Sequence, residues 1–85
     1  MHFLLFSNEN KDPSREVTDR LAGIISRKGG ETTVIREGDE VPDEPLDQAL
    51  MASVQAVIVL GGDGTLLRAS HAIGDSQVPM IGVNL

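Results

Sequence analysis

Residues 56–60 read AVIVL, five consecutive apolar side chains. A strand with one wet face alternates apolar and polar residues. This run does not alternate, so it reads as a strand buried on both faces, as in a parallel sheet. Parallel strands require crossover connections, usually helical, and the rest of the chain supplies them. HFLLFS (2–7) is a short apolar run closed by the polar cluster NENKDPS, a strand by its length. Pro13 and Ser14 mark a helix start. Val17, Leu21, Ile24 and Ile25 then recur at helical spacing as one apolar face. Arg27 and Lys28 suit the negative end of that helix, and Gly29 and Gly30 stop it. TTVIR (32–36) is a β-branched strand. Leu46, Leu50 and Val54 predict a short helix, TLLRASHAI (65–73) a further helix ending near Gly74, and VPMIGV (78–83) a last strand with Pro79 at its entrance. The alternation predicts an α/β domain with an open, mostly parallel sheet, flanking helices and right-handed crossovers.

Size and charge narrow the function. Eighty-five residues make one small domain, able to bury about 60–65% of its unfolded surface. A net charge of −6, with Phe3 and Phe6 as the sole aromatic residues, leaves no basic stripe and no base-stacking platform. A nucleic-acid partner is therefore not expected. No apolar run approaches the ~20 residues of a membrane span, and HFLLF lacks the flanks of a secretory signal. A soluble, cytoplasmic protein is expected, in keeping with the absence of cysteine. Residues 37–47, EGDEVPDEPLD, hold six acidic side chains and two prolines and read as a solvated surface loop. His2 and His71 have no partner at metal-ligand spacing, so no protein-built metal site is expected. Met51 and Met80 read as core filler. The strand at 78–83 is expected to be central. A chain ending at Leu85, just past it, therefore reads as a piece of a larger protein.

The buried strand runs straight into GGDGT (61–65) and a helix. Open parallel sheets bind ligands beyond the carboxyl ends of their strands. Glycines admit a ligand close to the backbone, and N–H groups at a helix start favour an anion. This is a phosphate-binding turn carrying one carboxylate, Asp63. It lacks the Lys-Ser/Thr pair of a Walker A loop, and Leu67 stands where GxGxxG needs its last glycine. Asp63 could accept a proton from an attacking hydroxyl, orient that hydroxyl, or merely cap the helix. Arg68 would fall in the first turn of a helix beginning near Thr65, the unfavourable end for a cation. Asn8, after the first strand, either edges the crevice or caps its own loop.

VIVLGGDGTLLRA (57–69) followed by VPMIGVNL (78–85) resembles the N-terminal part of bacterial NAD kinases. In that family a GGDGT turn follows a buried strand, a T-L-L helix comes next, and a P-x-x-G-x-N strand leads into a glycine-rich continuation. The likeness is close over 56–85 and rests on pattern alone over 1–55. It implies a Rossmann-like, phosphofructokinase-like three-layer domain. It also implies phosphorylation of NAD at the 2′-hydroxyl of its adenosine ribose, with ATP as donor and a divalent cation, Mg2+, carried with the ATP. By resemblance Asp63 is the proton acceptor, and Asp63, Gly64 and Arg68 contact NAD. Gly61, Gly62 and Thr65 approach phosphates, and Asn84 matches a family asparagine without an assigned role. Family members are longer. Their asparagine-acidic pair, donor loop and second, β-rich domain are absent from this chain, so it is expected to be inactive alone. The resemblance also implies a homo-oligomer for the full-length protein.

Three other readings compete with this one. Diacylglycerol-type lipid kinases carry GGDGT but follow it with an asparagine-glutamate pair, where this chain has LLRA. Phosphofructokinases share the turn but carry serine and further catalytic residues soon after it. A non-catalytic nucleotide-binding or receiver-like module would use the polar cluster SNENKD after its first strand.

Overall fold

The computed structural model describes residues 1–13, 15–37 and 46–85. They form β1 (His2–Asn8), α1 (Glu16–Arg27), β2 (Glu31–Glu37), α2 (Gln48–Ser53), β3 (Ala56–Gly61), α3 (Asp63–Ile73) and β4 (Met80–Asn84). The four strands make one sheet in the order β2-β1-β3-β4, and every pair is parallel. Strand β3 lies between β1 and β4, with Phe6 opposite Val59 and Val57 opposite Met80. Its run of apolar residues follows from that place. Val57 and Val59 join Leu4 and Phe6 of β1 in a core closed by Met51 and Val54 around α2 and by Ala69, Ala72 and Ile73 of α3. The opposite face carries Leu5, Ser7, Ile58 and Leu60, because alternate residues of a strand point to opposite sides. Helix α1 covers that face, and its buried Thr18 hydroxyl lies 2.8 Å from Ser7 Oγ. The result is a three-layer α/β domain.

Several boundaries and faces differ from expectation. Glu37 ends β2 and Asp47 caps α2 by accepting from Ala49 N–H at 2.9 Å. The acidic loop is therefore shorter than 37–47, and residues 38–45, with both its prolines, lie outside the described residues. Val17 and Ile24 of the expected apolar face of α1 are 38% and 42% exposed, while Thr18 is fully buried. A hydroxyl can sit inward here because Ser7 and Asp12 satisfy it. Strand β4 is an edge strand in this chain, and its Ile81 is 52% exposed. His2 is half-buried. Its ring nitrogens lie 2.7 Å from Thr33 Oγ1 and 3.1 Å from Ser53 Oγ, which ties β1 to β2 and α2. Met51 is buried as expected, and Met80 packs against the core.

The start of α1 is built by a residue that the helix signals did not single out. Ser14 lies outside the described residues, and Arg15 at the cap adopts a left-handed φ of 61° with no side-chain cap bond. The carboxylate of the buried Asp12 serves instead. It accepts from Thr18 N–H at 2.9 Å, Thr18 Oγ1–H at 2.7 Å and Val17 N–H at 3.2 Å. Arg36 Nη2 donates to the Asp12 carbonyl at 2.9 Å, joining β2 to the same corner. The Thr18 N–H is the chief cause that holds the Asp12 carboxyl below its ordinary value of 3.8. Burial opposes this, and the Thr18 hydroxyl, the Val17 N–H and the Arg36 charge reinforce it. A depressed carboxyl contributes stability that is present above its unfolded pKa and lost as pH falls through the folded one. Asp12→Ala is therefore expected to lower the thermal midpoint of the chain at pH 7. The gap to the parent should narrow as pH drops below about 3.8, which circular dichroism melts across pH will read. A gap constant with pH would show that the charge of Asp12 plays no part.

Candidate active site

Strands β1 and β3 are neighbours, yet the chain leaves them in opposite directions. From β1 it runs through α1 to β2, and from β3 through α3 to β4. The divergence opens a crevice at the carboxyl ends of the two strands, the usual ligand position in such sheets. The glycine turn stands there. Gly61 ends β3, Gly62 is the N-cap of α3 with extended backbone (φ −113°), and Asp63 is the first helical residue. The first ladder bond of α3 runs from Leu66 N–H to the Gly62 carbonyl at 3.1 Å. N–H groups of the first turn precede that ladder and present partial positive charge outward.

The glycines of the turn divide into two kinds. A methyl group on Gly61 would lie 2.5 Å from Thr65 Oγ1, 2.8 Å from Thr65 Cβ and 3.0 Å from Asn8 Cβ. The protein itself leaves no room there. Around Gly62 and Gly64 nothing lies within 4 Å of the corresponding position, and neither has a positive φ. Neither the backbone nor the packing of this chain requires glycine at those two places. Open space beside bare backbone is what a closely approaching ligand needs.

Asp63 is exposed at the head of α3, and Gly62 rather than Asp63 is the cap, so the capping role does not hold. A carboxylate in the first turn is favoured by the helix dipole. A cleft of about 200 Å³ opens beside it, lined by Gly61, Gly62, Asp63, Leu66, Gly82 and Asn84 among others. Asn84 reaches this cleft because β4 pairs with β3 in a register that sets it opposite Gly61. That pairing between strands cannot be read from local sequence. A larger hollow of about 930 Å³ lies between α2 and the end of α3. It is at the amino ends of the strands, away from the glycine turn.

Helix α3 begins two residues earlier than expected, so Arg68 sits in its second turn and the argument from an unfavourable first-turn cation lapses. Five residues along a helix are about 140° apart round its axis. Asp63 and Arg68 therefore point to different sides. Thr65 is buried, and its Oγ1 accepts from Asn8 Nδ2 at 2.9 Å. Asn8 caps its own loop, since its Oδ1 accepts from Asn10 N–H at 2.8 Å, and it also touches the glycine turn through Thr65. Among the described residues no three His, Cys, Asp or Glu side chains gather to hold a metal ion. His71 is exposed in the last turn of α3.

Residues 26–85 match the family model described as the ATP-NAD kinase N-terminal domain. The chain belongs to the NAD kinase family. Among similar proteins, an NAD kinase of Agathobacter rectalis is 33% identical over 86 residues, covering 99% of this chain and 30% of that protein. An NAD kinase of Lachnospira eligens is 34% identical with the same two coverages. One of Protochlamydia amoebophila is 35% identical, covering 95% of this chain and 29% of its own length. The chain thus spans about 30% of the length of these relatives. No solved structure matches.

Membership in the NAD kinase family bears on the other readings of the turn. The family match takes in the whole of GGDGT, α3 and β4. A receiver-like use of SNENKD is also disfavoured by geometry. Asn8 spends its amide on Thr65 and Asn10, and Asp12 spends its carboxylate on the start of α1. Among the described residues no helix is long and apolar enough to cross a membrane.

Proposed function

We propose that this chain is the N-terminal part of an NAD kinase that transfers the γ-phosphoryl group of ATP to the 2′-hydroxyl of the adenosine ribose of NAD. The ribose 2′-oxygen forms its bond to the γ-phosphorus as the bond to the bridging oxygen of ADP breaks. The hydroxyl proton passes to the carboxylate of Asp63, and the products are NADP and ADP. Asp63 and Gly64 hold the ribose end of NAD. Gly62 and the first-turn N–H groups of α3 lie against phosphate, while Gly61 and Thr65 hold the turn in shape beneath it. Arg68, on another side of α3, meets a different part of the dinucleotide. A divalent cation would come with ATP and would neutralise charge developing on the transferred phosphoryl group.

One observation carries the reading. An exposed carboxylate heads a helix between two glycines, with open space around both, at the point where the sheet changes direction. Its negative charge beside phosphate finds a use if it deals with a hydroxyl rather than an anion, as the catalytic aspartate of a protein kinase does. The lining on the far side of the donor would come from a second domain. The 85-residue chain alone is therefore expected to make no NADP from NAD and ATP, while the full-length kinase does. A coupled NADP assay on both decides this. Turnover by the isolated chain would remove the two-domain account.

A further inference from the structure

We infer that Asn8 is a positioning residue for phosphoryl transfer, setting the Gly61–Thr65 turn and the direction of the Thr65 hydroxyl from the end of the neighbouring strand β1. The inference rests on the kinase reading above and adds a residue from a separate strand to its machinery. Asn8 is the last residue of β1, and Thr65 lies 57 residues later in the first turn of α3, so the bond at 2.9 Å closes the switch point from one side to the other. Its polarity is determined. The Asn10 backbone N–H, 2.8 Å from the amide, can only donate, so the atom facing it is the carbonyl oxygen Oδ1. The other end of the amide is then the NH₂ group, and Thr65 Oγ1 must accept. The hydrogen of the Thr65 hydroxyl is thereby turned away from Asn8.

Packing supports the same role. The Cβ atoms of Asn8 and Thr65 close on the Gly61 α-carbon so tightly that a methyl group there would meet both. Asn8 is in turn anchored, its own carbonyl accepting from Lys11 N–H at 3.2 Å and Asp12 N–H at 3.0 Å. The turn that displays Asp63 is thus braced against a stiff neighbour. Small displacements of a reacting group are costly in rate, with about 1 Å worth up to a hundredfold.

The test uses the full-length kinase carrying Asn8→Ala, Thr65→Val, both together, and Asn8→Asp. Asn8→Ala keeps the Cβ beside Gly61 and deletes the amide. Its kcat is expected to fall about tenfold or more with little change in KM for NAD. In the Thr65→Val background the same change should cost less than twofold, because Asn8 acts through that hydroxyl. Asn8→Asp can still accept from Asn10 N–H and stay bridged, but only with the Thr65 hydrogen drawn toward it. Its melting temperature should hold while kcat falls, which a purely structural role would not produce. Asn8→Ala with kcat within twofold of the parent overturns the inference, as does a loss that multiplies in full with Thr65→Val. If Asp63→Asn is inactive while Asn8→Ala is normal, the kinase reading survives and this inference does not. If Asp63→Asn is itself fully active, both fall.

Discussion

Asp63→Asn in the full-length kinase is expected to lower kcat by about a thousandfold, within the range that general-base removal commonly gives. The carboxamide has the size of the carboxylate and sits in the same exposed place, so NAD should still bind and KM should move little. It cannot take up the proton of the 2′-hydroxyl. The fold should survive, because Gly62 caps α3 and no side-chain cap bond is lost. Only the favourable placement of a charge at the helix start is given up, about 0.3–1 kcal/mol. Steady-state kinetics with a melt on the same sample separate the two effects. Normal kcat in a folded variant would remove the proton-acceptor role and, with it, the proposed mechanism.

The second large expectation contrasts two adjacent glycines. Gly61→Ala should destabilise the chain by about 1–3 kcal/mol, the usual range for overpacking. A domain of this size then melts about 4–24 °C lower, at about 4–8 °C per kcal/mol. The reason is internal, since the added methyl group would stand 2.5 Å from Thr65 Oγ1 and 2.8 Å from Thr65 Cβ. Gly62→Ala should leave the melt unchanged, because its φ of −113° suits any residue and nothing lies within 4 Å of the new methyl group. Its effect should be confined to ligands, with nucleotide binding weakened about tenfold or more as the methyl group occupies the ligand's space. Thermal melts of both variants and calorimetric titration of NAD and ATP into the full-length kinase read the contrast. Equal stability of Gly61→Ala would contradict the packing account, and undiminished binding by Gly62→Ala would contradict the ligand account.

The order of elements, the parallel sheet and the place of the glycine turn between β3 and α3 were legible in the sequence by itself. Burial on both faces of β3 leaves a run of apolar residues that no half-exposed strand would carry, and a cluster of glycines before a helical pattern marks a turn. Those signals are local, and local signals survive without knowledge of the fold. Only the tertiary structure decided the order β2-β1-β3-β4, the exact head of α3, the contact of Asn8 with Thr65 beside Gly61, and the register that sets Asn84 opposite Gly61. It also turned Thr18 inward and left Val17 and Ile24 partly exposed, against the apolar pattern of α1. The physical reason is the same in each case. A polar group may be buried, or a glycine required, because of a partner dozens of residues away, and nothing in its immediate neighbours encodes that partner.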